Sequence, residues 1–163
     1  REFVERFSPR NAPFLTTREA FVLKNPANAE ALERFRTADT AERRALLDEA
    51  KVLPLPDALV FSDGPVALDV EWYFSVRELC GAMAAVRHLD LMTINPGLAD
   101  PGDWSRVAFK GGSEPGVLNL TTWLESGDGS YCVSATWNDE SSALDELRFY
   151  SLYSSLIETL KSL

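Results

Sequence analysis

Histidine occurs once in this sequence and cysteine twice, at His88, Cys80 and Cys132. There is no CxxC pair and no second imidazole at ligand spacing, so a metal site would have to be built from carboxylates alone. No metal and no cofactor is therefore expected, and whether the two thiols pair is left open. Basic charge is also scarce. Lys and Arg number 16 against 25 Asp and Glu, a formal net charge of −9, and Arg43-Arg44 is the only adjacent basic pair. Binding to nucleic acid releases counterions through a basic patch, so no nucleic-acid partner is expected. The sequence lacks a run of ~18 apolar residues, the length a spanning helix needs, so no membrane span is expected. It begins Arg1-Glu2-Phe3, without an initiator Met or an apolar leader, which we read as an upstream part having been removed.

What remains is an ordinary globular composition, 45% apolar and 25% charged, long enough to bury a sizeable core. Pro9 and Pro13 make residues 1–15 read as extended or looped chain. Thr16-Thr17-Arg18-Glu19, Asp39-Thr40-Ala41-Glu42 and Ser75-Val76-Arg77-Glu78 each have the form of a capping box. In that motif a side-chain oxygen takes an orphan helix amide while a glutamate reaches back three residues. Helices are predicted to follow all three, with another over 27–37. Residues 58–61 and 66–74 read as strands or extended chain around the turn Ser62-Asp63-Gly64-Pro65, and 90–103 as a loop.

The last sixty residues are the most legible. A strand over 106–110 runs into Gly111-Gly112, a second covers 117–125, and Gly127-Asp128-Gly129 turns the chain into a third. That third strand, 131–137, places Tyr131, Val133, Ala135 and Trp137 on one face. Asn138 is expected to cap a long helix with Leu144, Leu147, Leu152, Leu156 and Leu160 as its apolar stripe. The fold class is α+β, an antiparallel sheet covered by helices. A lysine followed by two glycines on an edge strand has a chemical use. The glycines let a ligand approach strand amides, and the ammonium can hold a carboxylate and ease nearby proton transfer.

This order, Lys110-Gly111-Gly112-Ser113 on a strand, two more antiparallel strands and a covering helix from about Ser141, resembles the end of class A β-lactamases and related penicillin-recognising serine hydrolases. Phe14-Leu15-Thr16-Thr17-Arg18-Glu19 resembles the start of the helix after the omega loop in that family. The likeness is strongest over 105–163 and weaker over 13–23. It implies the C-terminal part of a β-lactamase/transpeptidase-like fold, one partial domain with a helical, elaborated part at 1–104 and the meander with its helix at 105–163. It further implies that Lys110 is the catalytic lysine and that Gly111, Gly112 and Ser113 bind substrate. The Ser113 amide would serve an oxyanion hole in acyl transfer to an amide, β-lactam or ester carbonyl.

Gly111 stands where threonine is commoner in the family, which shifts the implied activity towards a D,D-peptidase or esterase. No serine here has a lysine three residues on, and no Ser-x-Asn occurs, so the nucleophile is expected upstream and this chain alone is expected to be inactive. The remaining alternative is a non-catalytic binding module. The implied partners are a small-molecule or peptide substrate and the N-terminal portion of the same protein or a partner chain. The implied location is the periplasm or cell envelope.

Other residues invite chemistry less strongly. Ser62-Asp63-Gly64 imitates a Ser-Asp-Asn motif but reads as a turn. Glu71, among aromatics, reads as a partly exposed strand residue, and His88 as a partner of a helix C-terminus. The four tryptophans read as core or rim, and Cys80 and Cys132 as buried packing.

Overall fold

The computed structural model describes residues 1–62, 66–127 and 129–162. The chain forms two compact units, Arg1–Phe74 and Ser75–Leu163. The turn expected at Ser62-Asp63-Gly64-Pro65 lies largely outside the described residues, as does Asp128 of the hairpin.

The first unit is helical, with α1 (Glu2–Glu5), α2 (Thr17–Lys24), α3 (Ala29–Thr37) and α4 (Thr40–Glu49). The predicted caps are present. The Glu19 amide donates to Thr16 Oγ1 at 3.3 Å, and the Thr16 amide donates back to the Glu19 carboxylate at 2.7 Å. Asp39 and Glu42 repeat the arrangement at α4. Helices this short do not persist alone in water, so packing decides. Leu15, Ala20, Leu23, Phe35, Leu47 and Val70 bury one core between them.

Three expectations are corrected in part in this unit. Residues 1–15 are not simply extended, because they hold α1 and a 3-10 turn at Pro9–Asn11 capped by Ser8. Ala58–Phe61 is a 3-10 turn started by the Asp57 side chain, not a strand. Residues 66–74 form no strand either. At Tyr73 the backbone is satisfied by a buried side chain instead: Asn11 accepts the Tyr73 amide at 2.8 Å and donates to the Tyr73 carbonyl at 2.7 Å.

The second unit is α+β. Helix α5 (Val76–Val86) follows the Ser75/Glu78 capping box. Strands β1 (Arg106–Glu114), β2 (Val117–Ser126) and β3 (Gly129–Asn138) form an antiparallel sheet in the order β1-β2-β3. Helix α6 (Glu146–Leu160) completes the unit. The register sorts the sheet into two faces. Val107, Phe109 and Gly111 share one face with Leu124, Thr122 and Leu120, and with Tyr131, Val133 and Ala135. This face packs on Phe149, Tyr153 and Ile157 of α6. The other face carries Cys132, which is bonded to Cys80 of α5. The sheet thus has a helix on each side.

Two expectations are corrected here. Helix α6 starts at Glu146 behind an Asp145 cap, not at Asn138, because Asp139 turns the chain by accepting the Ser141 and Ser142 amides at 2.8 and 3.1 Å. Its predicted leucine stripe is split: Leu144 and Leu160 pack against the core, while Leu147, Leu152 and Leu156 are exposed. The cysteines are half-buried and paired, so packing alone does not describe them.

Candidate functional site

The strand bearing Lys110 does not end at the glycines. Neither glycine has a positive φ, so pairing continues through Gly111↔Leu120 and Gly112↔Asn119 to Glu114↔Val117. The chain turns instead at Pro115-Gly116, where Gly116 has φ 78°. Lys110 therefore lies in mid-strand, exposed to solvent, with its Nζ donating to the Gly111 carbonyl oxygen.

The ladder fixes where the backbone groups of β1 point. The Asp139 amide donates to Gly116 O at 2.7 Å and the Ser105 amide to Glu125 O at 2.8 Å. Polar groups alternate sides along a strand, so odd-numbered residues of β2 bond to β1 and even-numbered ones to β3. On β1, Lys110 and Gly112 consequently spend their N–H and C=O groups on β2. Gly111 and Ser113 direct theirs to the free edge. The Ser113 amide is thus directed away from β2.

The two glycines do different work. A Cβ at Gly111 would stand 3.0 Å from Phe109 Cζ and 3.3 Å from Leu120 Cδ2, so a side chain there would crowd the packing on the α6 side. A Cβ at Gly112 would meet nothing within 4 Å. Gly112 leaves open space on the face shared with Lys110.

That face also carries polar residues that the sequence reading passed over. Thr121 opposes Lys110 and Asn119 opposes Gly112. Thr121 Oγ1 and Ser134 Oγ lie 2.8 Å apart, and Asn119 Nδ2 donates to Thr136 Oγ1 at 2.7 Å. The signal for them was the alternation Leu118-Asn119-Leu120-Thr121, continued by Ser134 and Thr136 on β3. Lys110, Gly112, Asn119 and Thr121 are brought together. Ser113, one register step on, contributes only through its backbone, since its side chain belongs to the opposite face.

Glu71 is neither on a strand nor free. It pairs with Lys24, whose side chain is 4% exposed against 18% for Glu71. The neighbouring cavity, lined by Arg10, Asn11, Arg43 and Trp72 among others, has a volume of about 20 Å³. That is room for a single water, not a substrate. A groove of about 350 Å³ between α3 and α4 is lined by Arg34, Thr37, Glu42, Leu46 and Glu49 and holds no nucleophile–base pair. His88 is exposed beyond the end of α5. Of the tryptophans, Trp104 is in the core and Trp72 is 37% exposed, donating to the Leu15 carbonyl at 2.9 Å. Among the described residues no three His, Cys, Asp or Glu side chains group as metal ligands, and no helix is long and apolar enough to cross a membrane.

The second unit is thus an α+β module with a three-stranded antiparallel sheet that presents a lysine and an open glycine at one edge. No protein-family model matches the sequence, and no curated protein matches it.

Proposed function

We propose that this chain supplies the substrate-binding wall of a serine acyl-transfer enzyme similar to class A β-lactamases and penicillin-recognising hydrolases. The observation that carries the reading is the layout of β1. Lys110 and the open Gly112 share a face, while the Ser113 amide points out of the same edge. A ligand carboxylate would lie against the Lys110 ammonium, and its carbonyl oxygen would accept from Ser113 N–H as negative charge develops there. The serine nucleophile would come from polypeptide outside this sequence. The substrate would be a small molecule or peptide with an amide, β-lactam or ester carbonyl.

Gly111 favours the peptidase or esterase form of this reading, and Phe109, 3.0 Å from where a Cβ would stand there, crowds the position against a threonine. The Cys80–Cys132 bond accords with a periplasmic or envelope location, since disulfides persist in oxidising compartments.

The test is acylation of this chain together with the polypeptide encoded upstream of it, using a fluorescent penicillin and an activated thioester, read by intact mass. A covalent adduct on a serine is expected, and Lys110→Ala should slow its formation by about 100-fold, the scale of losing one transition-state charge partner. Absence of any adduct, or an unchanged rate in Lys110→Ala, overturns the reading.

A further inference from the structure

The two borders of the sheet are guarded differently. β1 carries Arg106, Lys110 and Glu114, and the 3-10 turn Asp90–Thr93 packs along it. Charged side chains and a covering segment are what ordinarily keep a border strand from pairing with another chain. β3 has neither. It contains no charged residue and no proline, in a chain whose formal charge is −9. Among the described residues no further strand joins it, and none of its side chains is buried, whereas Leu118, Leu120, Thr121, Thr122 and Leu124 of β2 are. The odd-numbered residues of β3 bond to β2, so the N–H and C=O groups of Ser130, Cys132, Ser134, Thr136 and Asn138 point away from it.

The flank of α6 above this border is apolar as well. Lys161 pairs with Asp103, in the turn that leads into β1, which marks the flank of the helix that looks towards β1. At 3.6 residues per turn, Leu152 lies about 180° round the helix from Lys161 and Leu156 about 140°, so both project on the β3 side. They are 59% and 53% exposed. The neighbouring hydroxyls are satisfied within the helix: Ser155 Oγ donates to the Ser151 carbonyl at 2.9 Å, and Thr159 Oγ1 to the Ser155 carbonyl at 2.8 Å. Tyr153 sits between the two leucines, and its hydroxyl donates to the Val133 carbonyl at 2.8 Å, beside Ser134 at the middle of the strand.

From these observations we infer that β3 and the Leu152/Leu156 flank of α6 form an interface with a second copy of this chain, the two β3 strands pairing antiparallel about a twofold axis at Ser134. The sequence of the strand suits a copy of itself. With Ser134 opposite Ser134, the pairing uses β3 from Ser130 to Asn138, and each outward N–H and C=O meets a counterpart. Tyr131 then stands opposite Trp137 of the copy and Val133 opposite Ala135, as non-hydrogen-bonded pairs whose side chains approach most closely. No like charges meet along the strand. β1 turned on itself about its midpoint would instead set Lys110 against Lys110. The same axis lays the two α6 helices side by side on one face, with Leu152 and Leu156 between them. The pairing leaves clear the β1 border, where a carboxylate ligand such as N-acetylglycine would lie, and does not depend on that ligand.

Sedimentation equilibrium of the full chain from about 5 to 500 µM follows the association by mass action. A dimer with a Kd on the order of 10–100 µM is expected for an interface of one strand pair and one helix flank. In more dilute solution the leucines are solvated, so truncating them affects assembly and not the single fold. Ser134→Lys should abolish the dimer by opposing two ammonium groups, and Ser134→Glu should do the same with two carboxylates. Mixed in equal amounts the two variants should associate again, because residue 134 faces its own copy. Leu152→Ser/Leu156→Ser should weaken association at least about tenfold. Circular dichroism verifies that each variant is folded. Amide exchange of the unaltered chain needs no variant: Ser130, Cys132, Ser134 and Thr136 should be slower at high concentration than at low. A chain that stays monomeric overturns the inference, as do exchange rates independent of concentration, a dimer indifferent to charge at residue 134, or a mixture of the two charged variants that stays monomeric.

Discussion

Gly111 and Gly112 are neighbours on one strand, yet a methyl group added to each meets opposite surroundings. At Gly111 it presses on Phe109 and Leu120, in a layer closed by α6. Interiors are packed as densely as crystals, and overpacking of this kind costs about 1–3 kcal/mol. At Gly112 it enters open space, and removing a strand glycine gains about 0.5–1 kcal/mol through the unfolded chain. Urea unfolding should therefore show Gly111→Thr destabilised and Gly112→Ala unchanged or slightly firmer. N-acetylglycine binding should fall in Gly112→Ala, since the added methyl group fills the approach to the strand. Stability lost in Gly112→Ala, or binding retained there, would remove the reason for placing a ligand on that face. The lysine and the glycine pair were visible in the sequence. Their division of labour was not, because it depends on a phenylalanine ring and on a register set by the partner strand.

The elements divide in the same way between what is local and what is not. All three capping boxes were readable because each is completed within four residues by its own side chains. The meander was readable because alternation along β2 and β3 tracks the pleat. Residues 66–74 were not, since the group that satisfies Tyr73 is Asn11, 62 positions earlier. Helix α6 was half readable. Its leucines suggested the buried stripe, yet the residues that face the sheet are Phe149, Tyr153 and Ile157, spaced by four. Tyr153 adds a reason that periodicity does not contain. Its hydroxyl donates to the Val133 carbonyl at 2.8 Å and meets Thr122 Oγ1 at 2.9 Å, and burial pushes its pKa up to about 12. Two adjacent substitutions measure the orientation of the helix. Ile157→Ala should cost about 2–5 kcal/mol as a core truncation. Leu156→Ala, on a side chain 53% exposed, should stay within about 0.5 kcal/mol. Equal costs in thermal unfolding would mean that α6 is turned differently on the sheet.

At the scale of the whole molecule, the two units are held by different kinds of bond, and two simple reagents should tell them apart. The first unit depends on ionised carboxylates. The Phe14 amide, followed by Arg44, holds Glu5 below the usual carboxylate range. Burial pushes Glu19 up, but Arg1 and the Thr16 cap outweigh it and leave the group low. The Arg36 fork holds Asp69 low. A carboxylate whose folded pKa is depressed contributes stability that is complete above its unfolded pKa of about 4 and is lost as pH falls through the folded value. In the second unit, Asp139 is lowered by Ser142 and Ser141, but it titrates at the surface, where such contacts contribute little. That unit depends instead on Cys80–Cys132, which closes a loop with a sequence separation of 52. Loop-closure entropy for such a ring amounts to about 4 kcal/mol. Hydrogen exchange resolved by residue should therefore show a crossed pattern. Acidification from pH 6 to about 3 should expose the amides of Phe14, Thr16 and Glu19 first, whereas a dithiol reductant at neutral pH should expose α5 and β3 and spare α2. Parallel loss of protection in both units under each reagent would show that they unfold as one, with neither bond set belonging to its unit alone.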